Sequence, residues 1–166
     1  MSRFELAQLN VALMKDAIDS PLMADFVANL ERINALAEHS PGFAWRLQAD
    51  DGNATSLGSP LGDKWIVNVS VWQDVASLND YVYKTAHVEI MKRRKEWFER
   101  TAEAYVVLWW VPHGQRPSVA EAIARLERLR ALGPTSFAFT FKNAFTAPDA
   151  PVAETAPFFG DACPAI

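Results

Sequence analysis

Alternating hydrophobic and polar positions predict four β-strands. In residues 4–13 and 104–111 both faces are mainly apolar, so we expect both faces of these strands to be covered. In residues 64–72 every second side chain is apolar, which gives one wholly apolar face and one mixed face. A shorter strand is predicted from Phe43, with Phe43 and Trp45 on the same face.

Apolar residues at helical spacing fill the stretches between these strands. The first helix is predicted to begin at Ser20, whose side chain can cap free backbone N–H groups, with Pro21 at the first helical position. Pro41 is expected to end it. Asp74 is the predicted N-cap of a second helical region, which runs to about residue 100 and breaks near Lys84.

The C-terminal third of the chain predicts one more helix and then loses its periodicity. Ser118 is the expected cap of a helix over 119–132, and the run SFAFTF predicts a short fifth strand. From residue 142 the chain is rich in Ala and Pro, and it has no repeating hydrophobic pattern. We therefore predict one domain, residues 1–141, and an extended tail, residues 142–166.

The order β-α-β-β-α-β with an extra C-terminal helix predicts an α+β, ferredoxin-like fold. Two helices would cover one face of the sheet, and the other face would carry Phe4, Leu6, Ile66 and Trp72. An uncovered face with such large apolar groups is a sticky patch. The pattern thus predicts a homodimer that packs sheet against sheet.

Composition narrows the classes of partner. The net charge of -4 argues against a nucleic-acid-binding protein, because those proteins carry a basic surface. One cysteine, Cys163, allows neither a disulfide within the chain nor a cysteine-based metal site. The first residues lack the basic and then apolar run of a signal peptide, and no apolar stretch approaches the roughly 20 residues of a membrane span. We expect a cytoplasmic protein without a membrane partner.

His87 is the most informative candidate for chemistry. It lies at helical spacing with Ile90, Met91 and Arg94, which predicts that it faces inward. Imidazole titrates near neutral pH and serves as acid, base or ligand. A core histidine with one hydrogen bond is the alternative. The three histidines show no close metal-ligand spacing, so no metal site is expected.

Two asparagines fall on mixed strand faces, Asn10 in the first strand and Asn68 in the third. A buried amide is costly unless it is paired, so each either makes a structural hydrogen bond or donates to an anion that forms in a dry pocket. Trp72 is the foremost aromatic candidate for the wall of that pocket. Arg94 and Arg46 are candidates for holding a carboxylate.

Several motifs together resemble a known group of proteins. The runs LAQLNVA, RINALAEHSPGFAWRLQ, DGNAT, TAHVEIMKRRKEWFE and the stretch LWWVPHGQRPSVAEAIARLERLRALGPTSFAFTF resemble a bacterial domain family of unknown function. That family lies within the dimeric α/β-barrel superfamily, which includes antibiotic-biosynthesis and haem-degrading monooxygenases. The resemblance spans about residues 4–141.

The resemblance implies a dimeric α/β barrel and a small-molecule enzyme. Cofactor-independent, monooxygenase-like acid/base chemistry on an apolar or aromatic substrate follows, as in secondary metabolism or detoxification. His87 would be the acid/base, Asn10 and Asn68 the donors, and Trp72 and Tyr81 the walls. No organic cofactor motif is present, and we predict no nicotinamide or flavin.

Two alternatives remain open from the sequence. In haem-degrading members a helix histidine binds iron, and a strand asparagine and a helix aromatic assist. His87 would be that axial ligand, with Asn10 and Tyr81 in the assisting places. The other alternative is a dimeric ligand-binding protein without catalytic activity.

Overall fold

The structure, a computed structural model, describes residues 2–49 and 58–150, and its elements follow the predicted order. The elements are β1 (Phe4–Leu13), a 3-10 helix (Pro21–Met23), α1 (Ala24–Glu38), β2 (Phe43–Arg46), β3 (Trp65–Trp72), α2 (Val75–Lys84), α3 (His87–Trp97), β4 (Val106–Pro112) and α4 (Val119–Leu132). The sheet order is β2-β3-β1-β4, with antiparallel neighbours. This is the ferredoxin-like arrangement, so the predicted fold class is confirmed.

Two of the three predicted helix caps are confirmed. The Asp74 carboxylate accepts the backbone N–H of Ser77 at 2.8 Å, and the Ser118 hydroxyl accepts a backbone N–H three residues on at 3.1 Å. The prediction for Ser20 is wrong, because its side chain makes no capping bond. A 3-10 turn precedes α1, and within it the backbone carbonyl of Ser20 accepts a hydrogen bond from the N–H of Met23.

The predicted break near Lys84 separates α2 from α3. Thr85 has an extended backbone, with φ -116° and ψ 179°, and so ends the first helix. Its hydroxyl donates to the Tyr81 carbonyl at 2.6 Å and accepts the N–H of His87 at 3.2 Å. The break therefore fixes His87 at the start of the next helix.

The two faces of the sheet are covered in a different way from the prediction. The face that carries Leu6, Ile66 and Trp72 was expected to be uncovered, but it packs against α1, α2 and α3. The wholly apolar face packs against α4 through Leu126 and Leu129. The chain thus buries the surface on which the argument for a homodimer rested, and the homodimer stays a prediction.

A β-bulge in β2 overturns the prediction that Phe43 and Trp45 share a face. Phe43 lies opposite Trp72, whereas Trp45 lies opposite Val71, and the register shifts between them. Residues that lie opposite each other share a face, so the bulge sends the two aromatic rings to opposite sides of the sheet. It also places Arg46 on the side of Phe43.

The predicted fifth strand, SFAFTF, is not a strand. One isolated bridge joins Phe139 to Leu108, with backbone hydrogen bonds of 2.8 and 2.9 Å. A single bridge at the free side of β4 satisfies that edge locally without extending the sheet.

Residues 142–150 follow the body of the protein. The Phe145 carbonyl accepts the indole N–H of Trp110 at 2.8 Å, and the Asp149 carboxylate accepts the backbone N–H of Arg3 at 2.6 Å. The domain boundary at residue 141 stays a prediction. The tail residues Phe158, Phe159 and Cys163 lie outside the described residues.

Candidate functional site

A cavity of about 90 Å³ lies between the mixed face of the sheet and the helices α1, α2 and α3. Six of the seven predicted site residues line it: His87, Asn10, Asn68, Trp72, Tyr81 and Arg46. Arg94 is not among the lining residues. Its guanidinium lies over the ring of Tyr105, 4.5 Å from the centroid, and the predicted pocket role of Arg94 is therefore not supported by its position.

A polar strip crosses the sheet at the floor of the cavity. Asn10 lies directly opposite Asn68, and Gln8 lies opposite Ser70. The Ser70 hydroxyl accepts from the Gln8 amide at 2.9 Å and from the Trp72 indole at 2.8 Å. Both lone pairs of this oxygen are then used, so the Ser70 hydroxyl hydrogen is left to donate elsewhere.

Asn10 is incompletely satisfied at the centre of this strip. Its side-chain N–H donates to Oε1 of the Gln8 side chain at 3.4 Å, a long hydrogen bond. The Asn10 Oδ1 atom is buried and has no hydrogen-bond partner among residues 2–49 and 58–150. An orphaned buried acceptor costs about 1–3 kcal/mol, so Oδ1 is open to a hydrogen-bond donor from a molecule in the cavity.

His87 sits at the first position of α3, almost fully buried. Its Nδ1 donates to the Val82 carbonyl at 3.3 Å, because a carbonyl can only accept. Nε2 is consequently the proton acceptor of the neutral ring. Burial lowers the pKa of His87 to about 4, since one backbone bond only partly offsets the loss of water. The imidazole is therefore neutral at physiological pH.

An aromatic wall joins His87 to the edge of the sheet. The Tyr81 ring lies 4.7 Å from the imidazole and stacks on Trp72 at 5.0 Å, and Phe43 meets Trp72 edge-on at 5.3 Å. The Tyr81 hydroxyl donates to the Ile33 carbonyl at 3.4 Å. Burial raises the pKa of Tyr81, so its phenol also stays neutral.

Arg46 brings a formal charge to the cavity. Its side chain is 11% exposed, and its Nε donates to the Glu38 carboxylate at 2.7 Å. Glu38 is 40% exposed and does not line the cavity. The register places Arg46 opposite Ser70, at the end of the polar strip on the edge strand.

Gln8 and Ser70 are the site residues that sequence reasoning missed. Each lies two residues from a predicted asparagine on the same strand and hence on the same face. That spacing was a usable signal. Gln8, Ser70, Asn10, Asn68 and Arg46 form the polar strip. In the described part of the chain, this strip is the one polar region of an otherwise apolar sheet face. Its amide donors line the same cavity as the neutral imidazole of His87.

The cavity does not fit a haem group. Pockets for drug-sized ligands enclose roughly 300–1,000 Å³, and this cavity of about 90 Å³ is far smaller. His87 has a suitable acceptor nitrogen, but the Tyr81 ring packs against its imidazole. Within the described part of the chain, no three His, Cys, Asp or Glu side chains are grouped as a metal site requires. No helix among these residues is long and apolar enough to cross a bilayer.

Solved structures of three bacterial proteins are distantly similar to this chain. SnoaB, a cofactor-independent oxygenase from Streptomyces nogalater, is 16% identical with a TM-score of 0.45, and the match covers 68% of this chain and 95% of SnoaB. A Mycobacterium tuberculosis protein is 12% identical over 69% of this chain and 99% of its own, with a TM-score of 0.42. A dabb family protein with a ferredoxin-like fold from Mesorhizobium loti is 18% identical over 66% and 99%, with a TM-score of 0.41. Similarities at this distance assign no activity.

Family membership rests on the sequence. No curated protein matches the chain. The family model described as Domain of unknown function (DUF3291) matches residues 5–155. The match therefore extends beyond residue 141, at which the resemblance in the sequence motifs ends. The predicted resemblance to a domain family of unknown function is confirmed, and the chain belongs to the DUF3291 family.

Proposed function

We propose that this protein is a small-molecule enzyme in which His87 removes a proton from a compact apolar or aromatic substrate. One observation carries the proposal: a buried, neutral imidazole lines the same small cavity as the amides of Asn10 and Asn68. A base and donors for the resulting anion are the two parts that such a reaction needs.

The proton passes from an acidic C–H or O–H of the substrate to Nε2 of His87. The Val82 carbonyl holds Nδ1–H and so keeps Nε2 in the accepting state. Because burial disfavours the charged imidazolium, His87 alone is a weak base. The anion that forms beside it raises the pKa of the imidazole, and the amide N–H groups of Asn10 and Asn68 stabilise that anion.

Oxygenation of the anion is the reaction that the resemblance to antibiotic-biosynthesis monooxygenases favours. An activated methylene group of the substrate supplies the electrons, and molecular oxygen is the oxidant. One oxygen atom forms the new C=O bond in place of the two C–H bonds, and the other leaves as water with the two substrate hydrogens. In this reaction Trp72 and Tyr81 form the flat wall that positions the substrate ring and excludes water.

The test compares oxygen uptake and product formation for the wild type and His87→Gln with small phenols and 1,3-dicarbonyl compounds. Loss of a general base lowers kcat by about 10²–10⁴-fold. His113→Gln is the matched control, because His113 is an exposed turn residue that contacts Glu5 away from the cavity. We expect kcat/KM of the wild type to rise with pH through about 4 and to stay level above about pH 6, since the neutral form is the base.

Turnover that survives His87→Gln unchanged would contradict the proposal. If the wild type and the variant both bind these compounds and neither converts them, the protein is a ligand-binding protein and not an enzyme.

A further inference from the structure

We propose that the substrate carries an O–H or N–H group that donates a hydrogen bond to Oδ1 of Asn10, in addition to the proton that His87 removes. This inference rests on the proposed function and names the class of substrate for that same cavity. The class is a compact ring with a hydrogen-bond donor that keeps its hydrogen when His87 takes the other proton. Asn10 is then a residue that determines specificity.

An unsatisfied acceptor lies in the wall of the cavity. Asn10 is 8% exposed and lines the cavity, and its Oδ1 has no hydrogen-bond partner among residues 2–49 and 58–150. A buried acceptor that has lost water without gaining a donor is costly. A molecule that brings a donor to this atom therefore binds more tightly than a molecule of the same shape without one.

The neighbouring groups of the polar strip do not supply that donor. Gln8 turns its Oε1 towards Asn10, because its own amide N–H donates to the Ser70 hydroxyl at 2.9 Å. The indole of Trp72, which can only donate, holds the same hydroxyl at 2.8 Å. The donors of Gln8 and Trp72 are thus both directed at Ser70, and Oδ1 of Asn10 is left as the free end of the network.

The polar hydrogens of the aromatic wall are engaged as well. His87 donates its Nδ1–H to the Val82 carbonyl, and Nε2 of the neutral ring is an acceptor. The Tyr81 hydroxyl donates to the Ile33 carbonyl. A substrate with two donors complements the acceptors of His87 and Asn10, which line the same cavity. His87 takes one proton, whereas the amide oxygen of Asn10 is too weak a base to remove the other.

The volume of the cavity selects the probes. An engineered cavity of about 150 Å³ in another protein takes up benzene. The cavity described above has about 90 Å³, so a five-membered ring is the better match. Pyrrole and furan have nearly the same shape, but pyrrole carries an N–H donor, whereas furan carries an oxygen atom and no donor.

The experiment measures the dissociation constants of pyrrole and furan by NMR titration of the wild type, Asn10→Leu and Asn10→Asp. The wild type is expected to prefer pyrrole. That preference should fall by about fivefold to a hundredfold in Asn10→Leu, the range for a buried polar group left unpaired. The comparison of ratios removes the difference in hydration between the two probes, because that difference is the same for every variant.

Asn10→Asp is the matched control, because a carboxyl group has nearly the size of the amide and keeps an acceptor oxygen at this position. This variant should retain the preference for pyrrole. The wild type gives a second readout that needs no substitution. The N–H proton of bound pyrrole should resonate downfield of its position in an apolar solvent, as the proton of a hydrogen bond does.

The outcomes distinguish this inference from the function on which it rests. Equal binding of pyrrole and furan, unchanged in Asn10→Leu, overturns the inference and leaves the proposed small-molecule site standing. A preference for furan that Asn10→Leu abolishes also overturns it, because Asn10 then presents its N–H groups to the ligand. Loss of the pyrrole preference in both variants assigns the effect to the structure of the strip and overturns the role of the acceptor. If neither probe binds, the cavity admits no compact ring, and the proposed function fails together with this inference.

Discussion

The imidazole of His87 has exchanged its contact with water for one backbone hydrogen bond. The Val82 carbonyl accepts the Nδ1–H and raises the pKa of the ring, but this bond offsets only part of what burial takes from the charged form. The fall of the pKa from 6.5 to about 4 corresponds to about 3 kcal/mol. Helical spacing predicted the inward position of His87. The tautomer depends on the break before α3, which brings Val82 within reach.

This lowered pKa predicts how stability changes with pH. The unfolded chain protonates His87 below about pH 6.5, whereas the folded protein resists protonation down to about pH 4. The stabilising contribution is therefore complete above pH 6.5 and is lost as the pH falls towards 4. We expect the free energy of unfolding, measured with urea, to fall by about 3 kcal/mol more in the wild type than in His87→Gln over this range.

The comparison between the two proteins isolates His87 from the carboxylates, which titrate in both. His39→Gln serves as a further control, because His39 is an exposed residue at the end of α1. Parallel pH curves for the wild type and His87→Gln would show that the imidazole is solvated in the folded state, and the assignment of a neutral base would then fail.

At the scale of elements, β2 shows where periodicity stops being informative. Alternation placed Phe43 and Trp45 on one face, but one extra residue in the ladder reverses the side of everything that follows. The bulge brings Arg46 into the cavity and sends Trp45 to the other core. The strand is too short for its hydrophobic pattern to reveal an inserted residue, so the bulge could not be predicted from the sequence.

Gly42 fixes the start of β2 against α2. Its φ of 81° lies in the left-handed region, and its carbonyl accepts the N–H of Gln73 at 2.6 Å. A Cβ at this position would overlap the side chain of Ser77 in α2. We expect Gly42→Ala to lower the free energy of unfolding by more than the roughly 1–2 kcal/mol of left-handed strain alone, because the overlap adds to that strain.

Gly114→Ala is the matched control for this prediction. Gly114 has a similar φ of 83°, and a Cβ there meets no atom within 4 Å. Its loss of stability should therefore reflect backbone strain alone. If chemical denaturation gives the same loss for the two variants, the close approach of β2 to α2 at Gly42 is not a significant constraint.

At the scale of the whole molecule, the sheet separates two cores with different tasks. The mixed face and α1, α2 and α3 enclose the cavity, whereas the apolar face and α4 form a dense apolar core. The order of elements predicted the topology, because hydrophobic periodicity and helix caps can be identified from residues close together in the sequence. The assignment of helices to the two faces of the sheet was not predicted. It depends on where α4 packs on the sheet, and that contact joins residues far apart in sequence.

The separation of the cores predicts that stability and binding can be changed independently. Leu126 of α4 is buried against the apolar face of the sheet, and Leu78 of α2 is buried and lines the cavity. Each Leu→Ala change should cost about 2–5 kcal/mol in urea unfolding, and the double variant should show nearly the sum, because the residues belong to different cores. The affinity for small phenols should change in Leu78→Ala, whose truncated side chain enlarges the cavity, and stay constant in Leu126→Ala. A coupling energy well above about 0.5 kcal/mol, or an affinity change in Leu126→Ala, would mean that the sheet transmits packing changes from one core to the other.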